Sequence, residues 1–219
     1  MFASVKQRIA LIAVILIFLL SQQICSADEN WHQVKWIVDG DTVVLDDGQK
    51  IRYIGINAPE LAHDDHETEP YGEESKGFNA MLVQRGKVHL EFDKERFDQY
   101  KRRLAYVFLK SGTFVNAEML SNGYAYFLWS PPNLKYNSLL LQAQRSAMLA
   151  KMGIWLNWKE NKNQVVGNKN SRRYHLATCP YGRQIKPQNR VIFQKKWDAH
   201  WEGYAPAKRC IPVFTIPKD

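Results

Sequence analysis

The segment from Asp39 to Glu60 gathers the groups that chemistry on an anionic ester needs. Asp39-Gly40-Asp41-Thr42 sets two carboxylates on a turn. Carboxylates and carbonyls presented by loops are the donors that a hard cation such as Ca²⁺ prefers. Arg52 lies mid-strand among apolar residues and shares its pleat parity with Ile54 and Ile56, opposite to Tyr53 and Gly55. Asn57-Ala58-Pro59-Glu60 then adds an amide oxygen, backbone carbonyls and a third carboxylate. Hydrolysis of a phosphodiester asks for such a set: positive charge on the phosphoryl oxygens, a held water, and a stabilised leaving oxygen. Each feature alone has a plainer origin. Asp-Gly pairs are common turns, a mid-strand Arg is commonly half of a structural ion pair, and Pro-Glu fits any loop. The case for a site rests on their convergence in one short stretch.

The surrounding pattern predicts the elements that would hold these groups. Strands are expected over Val34–Val38, Val43–Leu45 and Ile51–Ile56, with Asp46-Asp47-Gly48 as a hairpin turn. The acidic, His-bearing residues 61–71 read as a surface loop. A helix over Glu73–Arg85 ends at Gly86. Strands follow at Val88–Phe92 and Leu104–Leu109. A short helix over Val115–Asn122 leads into the aromatic, extended stretch Tyr124–Trp129. Ser130-Pro131-Pro132-Asn133 is a loop, and Ser138–Met152 is a helix stopped by Gly153. The strands lie too close together for repeated βαβ crossovers. The fold class is mostly β with α: a five-stranded OB-type barrel packed with about three helices, plus a small C-terminal module.

Two separated motifs carry a family resemblance. Val38-Asp39-Gly40-Asp41-Thr42-Val43 followed by Ile51-Arg52-Tyr53-Ile54-Gly55-Ile56-Asn57-Ala58-Pro59-Glu60 resembles the first signature of the thermonuclease (staphylococcal nuclease) family. Asp98-Gln99-Tyr100-Lys101-Arg102-Arg103-Leu104 is similar to the second. Val115-Asn116 and the closing helix into Gly153-Ile154-Trp155 continue the likeness, which spans about residues 32–158. The resemblance implies a Ca²⁺-dependent endonuclease that acts on DNA and RNA with little sequence preference and leaves 3′-phosphate ends. It implies Asp41, Asn57 and the Ala58 carbonyl as metal ligands, with Asp39 in support. It implies Arg52 and Arg102 as phosphate-binding catalytic groups and Glu60 as the residue that holds or deprotonates water. Tyr100 and Trp129 are expected to stack substrate bases, with Tyr126 either beside them or in the core. Departures from the family pattern stand at Asn57, in place of an Asp, and at Lys101 and Arg103, in place of glycines. With both glycines gone, Arg103 is the fallback for Arg102.

The chain has 219 residues, 45% of them hydrophobic, and a net charge of +8. Residues 1–27 read as a cleavable leader: Lys6 and Arg8 precede an apolar run from Ile9 to Leu20, and Cys25-Ser26-Ala27 precede Asp28. That run is shorter than the roughly 20 residues that span a bilayer. Without the leader, 28 basic residues face 22 acidic ones. A secreted or periplasmic monomer without stable membrane attachment is expected, and its positive charge would attract polyanions. The polar stretch 159–170 reads as a linker to a module at 171–219. Within it, His175, Cys179 and Cys210 resemble the zinc-binding module first known from the Ada DNA-repair protein, with Ala207 where another thiolate belongs. Structural zinc takes four ligands, so a Cys179–Cys210 disulfide competes with a residual Zn²⁺ site. The basic cluster Arg172, Arg173, Arg183, Lys186 and Arg190 either extends a nucleic-acid surface or is a solvated face. Two other readings of the whole stand beside the nuclease: an inactive OB-type nucleic-acid-binding module, which would need neither Glu60 nor metal, and a polysaccharide binder.

Overall fold

Alternating apolar residues in the first half of the chain bury one side of each strand, and the strands close on themselves. In the computed structural model, residues 31–62, 67–84, 86–160 and 164–211 are described. The leader, residues 63–66 of the acidic loop, Arg85, residues 161–163 and the last eight residues lie outside them. The strands are β1 (Trp31–Ile37), β2 (Thr42–Leu45), β3 (Lys50–Tyr53), β4 (Ile56–Asn57), β5 (Lys87–Glu91) and β6 (Arg103–Leu109). Five of them form a closed barrel in the order β1-β2-β3-β6-β5. The β3–β6 pair is parallel, with Arg52 opposite Leu104. Val43, Leu45, Ile51, Val88, Leu90 and Val107 are buried in the barrel core. Barrel closure leaves no free strand edge, and the five-stranded OB-type architecture follows.

Three helices pack on the barrel: α1 (Gly72–Val83), α2 (Val115–Ser121) and α3 (Asn137–Ala150). Asn116 on α2 is fully buried. Its Nδ2 donates to the Ile54 carbonyl at 2.9 Å and its Oδ1 accepts from the Val107 amide at 3.0 Å. One amide side chain thus satisfies two buried backbone groups and ties the helix to two chain segments.

The single strand expected over residues 51–56 is broken in two. Gly55 has φ +78°, and a Cβ there would lie 2.5 Å from Leu140 Cδ1. Only glycine meets both demands. The chain bends after Tyr53, and β4 leaves the barrel to pair with β7 (Tyr126–Phe127). That bend carries Asn57 and the residues after it back across the end of the barrel. Of the extended stretch expected over Tyr124–Trp129, only Tyr126 and Phe127 form a strand.

Residues 159–170 are not a linker throughout. Val165–Asn168 is strand β8, with Val165 and Gly167 buried. It pairs with β9 (Arg173–Leu176) and β10 (Arg190–Phe193), and β11 (Ala205–Pro206) completes a four-stranded sheet in the order β10-β8-β9-β11. A short helix α4 (Pro180–Arg183) and a helix α5 (Lys196–Trp201) accompany the sheet. Sequence periodicity missed β8 because Asn, Lys and Gly surround its two valines.

This C-terminal part is fused to the barrel, within one compact unit running from His32. On α3, Gln144 is fully buried and accepts from the Phe127 amide at 2.6 Å while donating to the His200 carbonyl at 2.7 Å. Arg145 Nε donates to the Trp201 carbonyl at 2.8 Å. Trp155, Trp158, Trp197 and His200 pack edge to face or tilted, with centroids 5.1–6.1 Å apart. Such contacts each add about 0.5–1.5 kcal/mol beyond area burial.

His200 is buried at the centre of this joint, with its Nε2 2.9 Å from the Tyr174 hydroxyl. Burial pulls its pKa down to about 3 from 6.5. Below pH 6.5 the unfolded chain therefore binds a proton that the folded chain refuses, so this contribution to stability is lost as pH falls. Asp39 works in the opposite direction, because burial and Asp41 raise its pKa. Comparison with His200→Gln isolates the histidine. Between pH 6.5 and 5, the stability advantage of the wild type over His200→Gln should shrink by about 2 kcal/mol in urea unfolding. A pH-independent difference would contradict a neutral buried His200.

Candidate active site

The turn between β1 and β2 is pressed against α1 and the chain beyond β4. A Cβ on Gly40 would lie 2.6 Å from Ala58 Cβ and 2.8 Å from Ser75 Cβ, so no larger residue fits. Asn79 of α1 donates to the Asp39 carbonyl at 2.9 Å and accepts from the Tyr53 hydroxyl at 2.9 Å. Asp39 Oδ1 accepts from the Asp41 amide at 2.9 Å. The turn is thereby fixed with both carboxylates buried.

Asp41 is the hub. Its Oδ2 accepts from the Ala58 amide at 2.8 Å and its Oδ1 from the Thr42 hydroxyl at 2.9 Å. Arg52 Nη2 lies 3.0 Å from Asp41 Oδ2 and donates to Asn57 Oδ1 at 3.0 Å, while Nη1 donates to the Tyr53 carbonyl at 2.8 Å. Asn57 Nδ2 donates to the Ala58 carbonyl at 2.9 Å and to the Tyr126 hydroxyl at 3.0 Å. Asp41, Arg52, Asn57 and Ala58 therefore form one buried cluster. Tyr126, which sequence reasoning left between core and site, is fully buried and braces Asn57. Burial presses Asp39 upward to a pKa of about 7, and the Asp41 charge adds to this.

The chemistry of this donor set fits a hard cation. A carboxylate, an amide oxygen and a backbone carbonyl belong to one cluster, and a guanidinium already lies between the first two. The buried Asp39–Asp41 pair also calls for positive charge.

Glu60 follows the cluster at the mouth of the site. Its amide donates to Glu69 Oε2 at 2.9 Å, and its carbonyl accepts from the Glu69 amide at 2.8 Å. Its carboxylate pairs with Lys208 from the C-terminal sheet region. Neither Glu69 nor Lys208 carried a sequence signal, since exposed Glu and Lys are the commonest of surface residues.

Arg102 lies on the loop before β6. Its Nε bonds Asp98 Oδ2 at 2.7 Å and its guanidinium lies 5.5 Å from the Tyr100 ring centre. It shares the parity of Leu104, which stands opposite Arg52. Arg103 points elsewhere, to Gln49 and the face of Phe92. Lys101 has φ +62°, a left-handed conformation that the family's glycine would adopt without cost. Tyr100 is exposed. Trp129, expected to be an open stacking surface, is half-buried against the core, with the Arg172 guanidinium 5.7 Å from its ring centre.

The basic cluster of the C-terminal part divides. Arg172 covers Trp129 and Tyr204, while Arg190 bonds the Arg183 and Ile185 carbonyls. Arg173 alone among them faces the site. It borders a cavity of about 550 Å³ whose wall also includes Asn57, Gln99, Tyr181, Lys208 and Arg209. Cys179 and Cys210 are joined by a disulfide. His175 Nδ1 lies 3.3 Å from Cys210 Sγ and 3.6 Å from Cys179 Sγ. Both sulfurs are spent on each other, so the residual zinc set is not available to a metal while the bond stands.

Residues 50–157 match the family described as staphylococcal nuclease homologue. The thermonuclease of Staphylococcus hyicus is 37% identical over 140 residues, covering 63% of this chain and 82% of that protein. The thermonuclease of Staphylococcus intermedius is 38% identical over 127 residues, covering 57% and 75%. An uncharacterized endonuclease of Haemophilus influenzae is 31% identical over 193 residues, covering 86% of this chain and 98% of its own, a span that the barrel alone could not supply. With the barrel, the two motifs and these relatives in agreement, the chain belongs to the staphylococcal nuclease family and is a nuclease.

Proposed function

We propose that this enzyme is an exported, Ca²⁺-dependent endonuclease that hydrolyses DNA and RNA with little sequence preference, leaving 3′-phosphate ends and acting as a monomer. The observation that carries this reading is the buried bridge of Arg52 between Asp41 and Asn57, one segment away from Glu60. Asp41, Asn57 and the Ala58 carbonyl would hold the cation, which would neutralise phosphoryl charge and polarise the ester.

Arg52 would take two phosphoryl oxygens with its fork, as its planar donors already engage three acceptors here. Glu60 would hold the attacking water and accept its proton. Water would add to phosphorus, the P–O5′ bond would break, and Arg102 would stabilise the leaving oxygen. Asp98 presets the Arg102 side chain, and the Arg102 charge in turn helps to hold the Asp98 carboxyl below its usual range. The pairing of Glu60 with Lys208 keeps its carboxylate at the mouth, where solvent reaches it. Tyr100 supplies an exposed ring for a base. Residues 1–27 would direct export and be removed; among the described residues no helix is long and apolar enough to cross a membrane.

Two sets of variants test this. Glu60→Gln and Arg52→Lys should each lower kcat on single-stranded DNA with Ca²⁺ by about 10²-fold or more. Circular dichroism should stay that of the wild type. Undiminished cleavage by Glu60→Gln would refute its role, and binding without cleavage by the wild type across metals would favour the inactive binding module. Asn57→Asp adds a negative charge beside Asp41. It should tighten Ca²⁺ on the order of tenfold in a calcium titration of activity; an unchanged half-saturation would remove Asn57 from the ligand set.

A further inference from the structure

The cavity beside the Arg52 cluster has an unusual charge pattern. Its wall includes Arg173, Lys208 and Arg209, and no carboxylate residue borders it among the described residues. Lys208 is paired with Glu60. Arg209 lies 5.7 Å from the ring centre of Tyr181, itself half exposed. Arg173 differs from both. Its side chain is half-buried, and among the described residues its guanidinium makes no hydrogen bond or ion pair. Its electrostatic neighbours are the Tyr126 hydroxyl and the Arg52 guanidinium, and desolvation followed by Arg52 lowers its pKa. A partly desolvated cation with no anion of its own, near a guanidinium that Asp41 already engages, costs stability. Arginine with nothing to bind is a poor choice for packing alone.

Its position is nonetheless fixed on all sides. Arg173 opens β9, between Asn168 of β8 and Ala205 of β11. The preceding Arg172 adopts φ +51° and its carbonyl accepts from the Ala205 amide at 2.9 Å. The opposite wall is stapled as well. The Cys179–Cys210 disulfide joins the segment that carries Tyr181 to the one that carries Lys208 and Arg209. The sheet is locked to α3 through Gln144 and His200.

We propose that Arg173, with Arg209 and Tyr181, forms a second phosphate subsite that holds the nucleotide neighbouring the scissile one. This rests on the nuclease reading and extends it: the C-terminal part becomes one wall of the substrate channel. A backbone phosphate next to the one on Arg52 supplies the anion that Arg173 lacks, and Tyr181 offers a face to the adjoining base. The substrate class that follows is a polynucleotide strand with at least two consecutive phosphates, not an isolated phosphodiester.

The test compares wild type with Arg173→Gln on two substrates, a decathymidylate and a dinucleoside monophosphate, which has a single phosphate. For the decamer, KM should rise about tenfold at 0.1 M salt, and the slope of log KM against log salt should fall by about 0.7. Its kcat, and both constants for the dinucleoside monophosphate, should stay within about twofold. The thermal midpoint should hold or rise, since an unpaired, partly desolvated charge is removed. Arg173→Lys should recover part of the salt slope. An unchanged decamer KM and slope would overturn the proposal, as would an equal loss on both substrates or a fall in stability that accounts for the loss. Binding of a labelled decamer in EGTA, read by fluorescence anisotropy, reports the subsite without cleavage. If Glu60→Gln cleaves normally while Arg173→Gln weakens that binding, the catalytic assignment fails and the subsite stands.

Discussion

Two carboxylates buried in one turn cannot stand without positive charge, and the site is built around that constraint. Taking an ion from water into a protein costs several kcal/mol unless a partner and hydrogen bonds repay it. Asp41 has its repayment from Arg52, Thr42 and the Ala58 amide. Asp39 has less, and its carboxyl is pushed up to about 7. The surrounding elements serve this arrangement. Gly40 lets the turn touch α1, Gly55 turns the chain so that Asn57 returns to Arg52, and Tyr126 braces Asn57 from β7. Within the proposed reading, Arg52 has two claims on it, from Asp41 and from phosphate. Its fork can turn to phosphate only when other positive charge satisfies Asp41, so cation and substrate binding are coupled by one side chain.

The same logic explains why the C-terminal part is docked and not tethered. Its sheet buries few large residues of its own, chiefly Val165, Tyr174, Phe193 and Tyr204. A core of that size is marginal alone. It leans on the barrel through a tryptophan-rich joint and two hydrogen bonds from α3, and on the Cys179–Cys210 bond. A crosslink of this loop length contributes about 4 kcal/mol in the chain-entropy account. What the barrel receives in return is Lys208 on Glu60 and Arg173 beside Arg52.

Much of the barrel was legible because its signals are local. Alternating strands, Asp-Gly turns and helix stops need only neighbouring residues, and the elements from β1 to α3 lie where the pattern predicts, within a few positions. Gly55 was legible only as a residue. Its bend depends on Leu140, 85 positions away, and so does the split between β3 and β4. Arg52, Asp41 and Asn57 were nameable because their chemistry converges in one short stretch and the first motif places them by family likeness; their mutual distances were not readable. Arg103, the fallback for Arg102, was separated from it only by seeing that its side chain goes to Gln49. Arg173 was visible only as one of five basic residues with two readings, and Lys208 and Glu69 could not be found at all. Their meaning lies in long-range contacts, and single basic or acidic residues in polar segments have no periodicity to betray them. Strand β8 was hidden for a related reason, since four residues with two valines among Asn and Lys resemble a loop until a partner strand pairs with them.

The distinction between a linker and a strand at residues 165–168 matters physically. A basic module on a flexible tether would add charge near the site and raise the local concentration of substrate, with its side chains free to reorganise at each encounter. Ordering them then would cost about 0.5–1.5 kcal/mol per side chain. A docked sheet has met that cost during folding. Arg173 is held by three strands, and Tyr181 and Arg209 by one disulfide. The geometry of the cavity is therefore as fixed as that of the barrel turn it faces. Within the proposed reading, Asp41 answers the charge of Arg52, and the charge of Arg173 is answered when a second phosphate enters. In that reading a rigid pair of cations discriminates by the spacing of anions, where a flexible basic surface would count only their number.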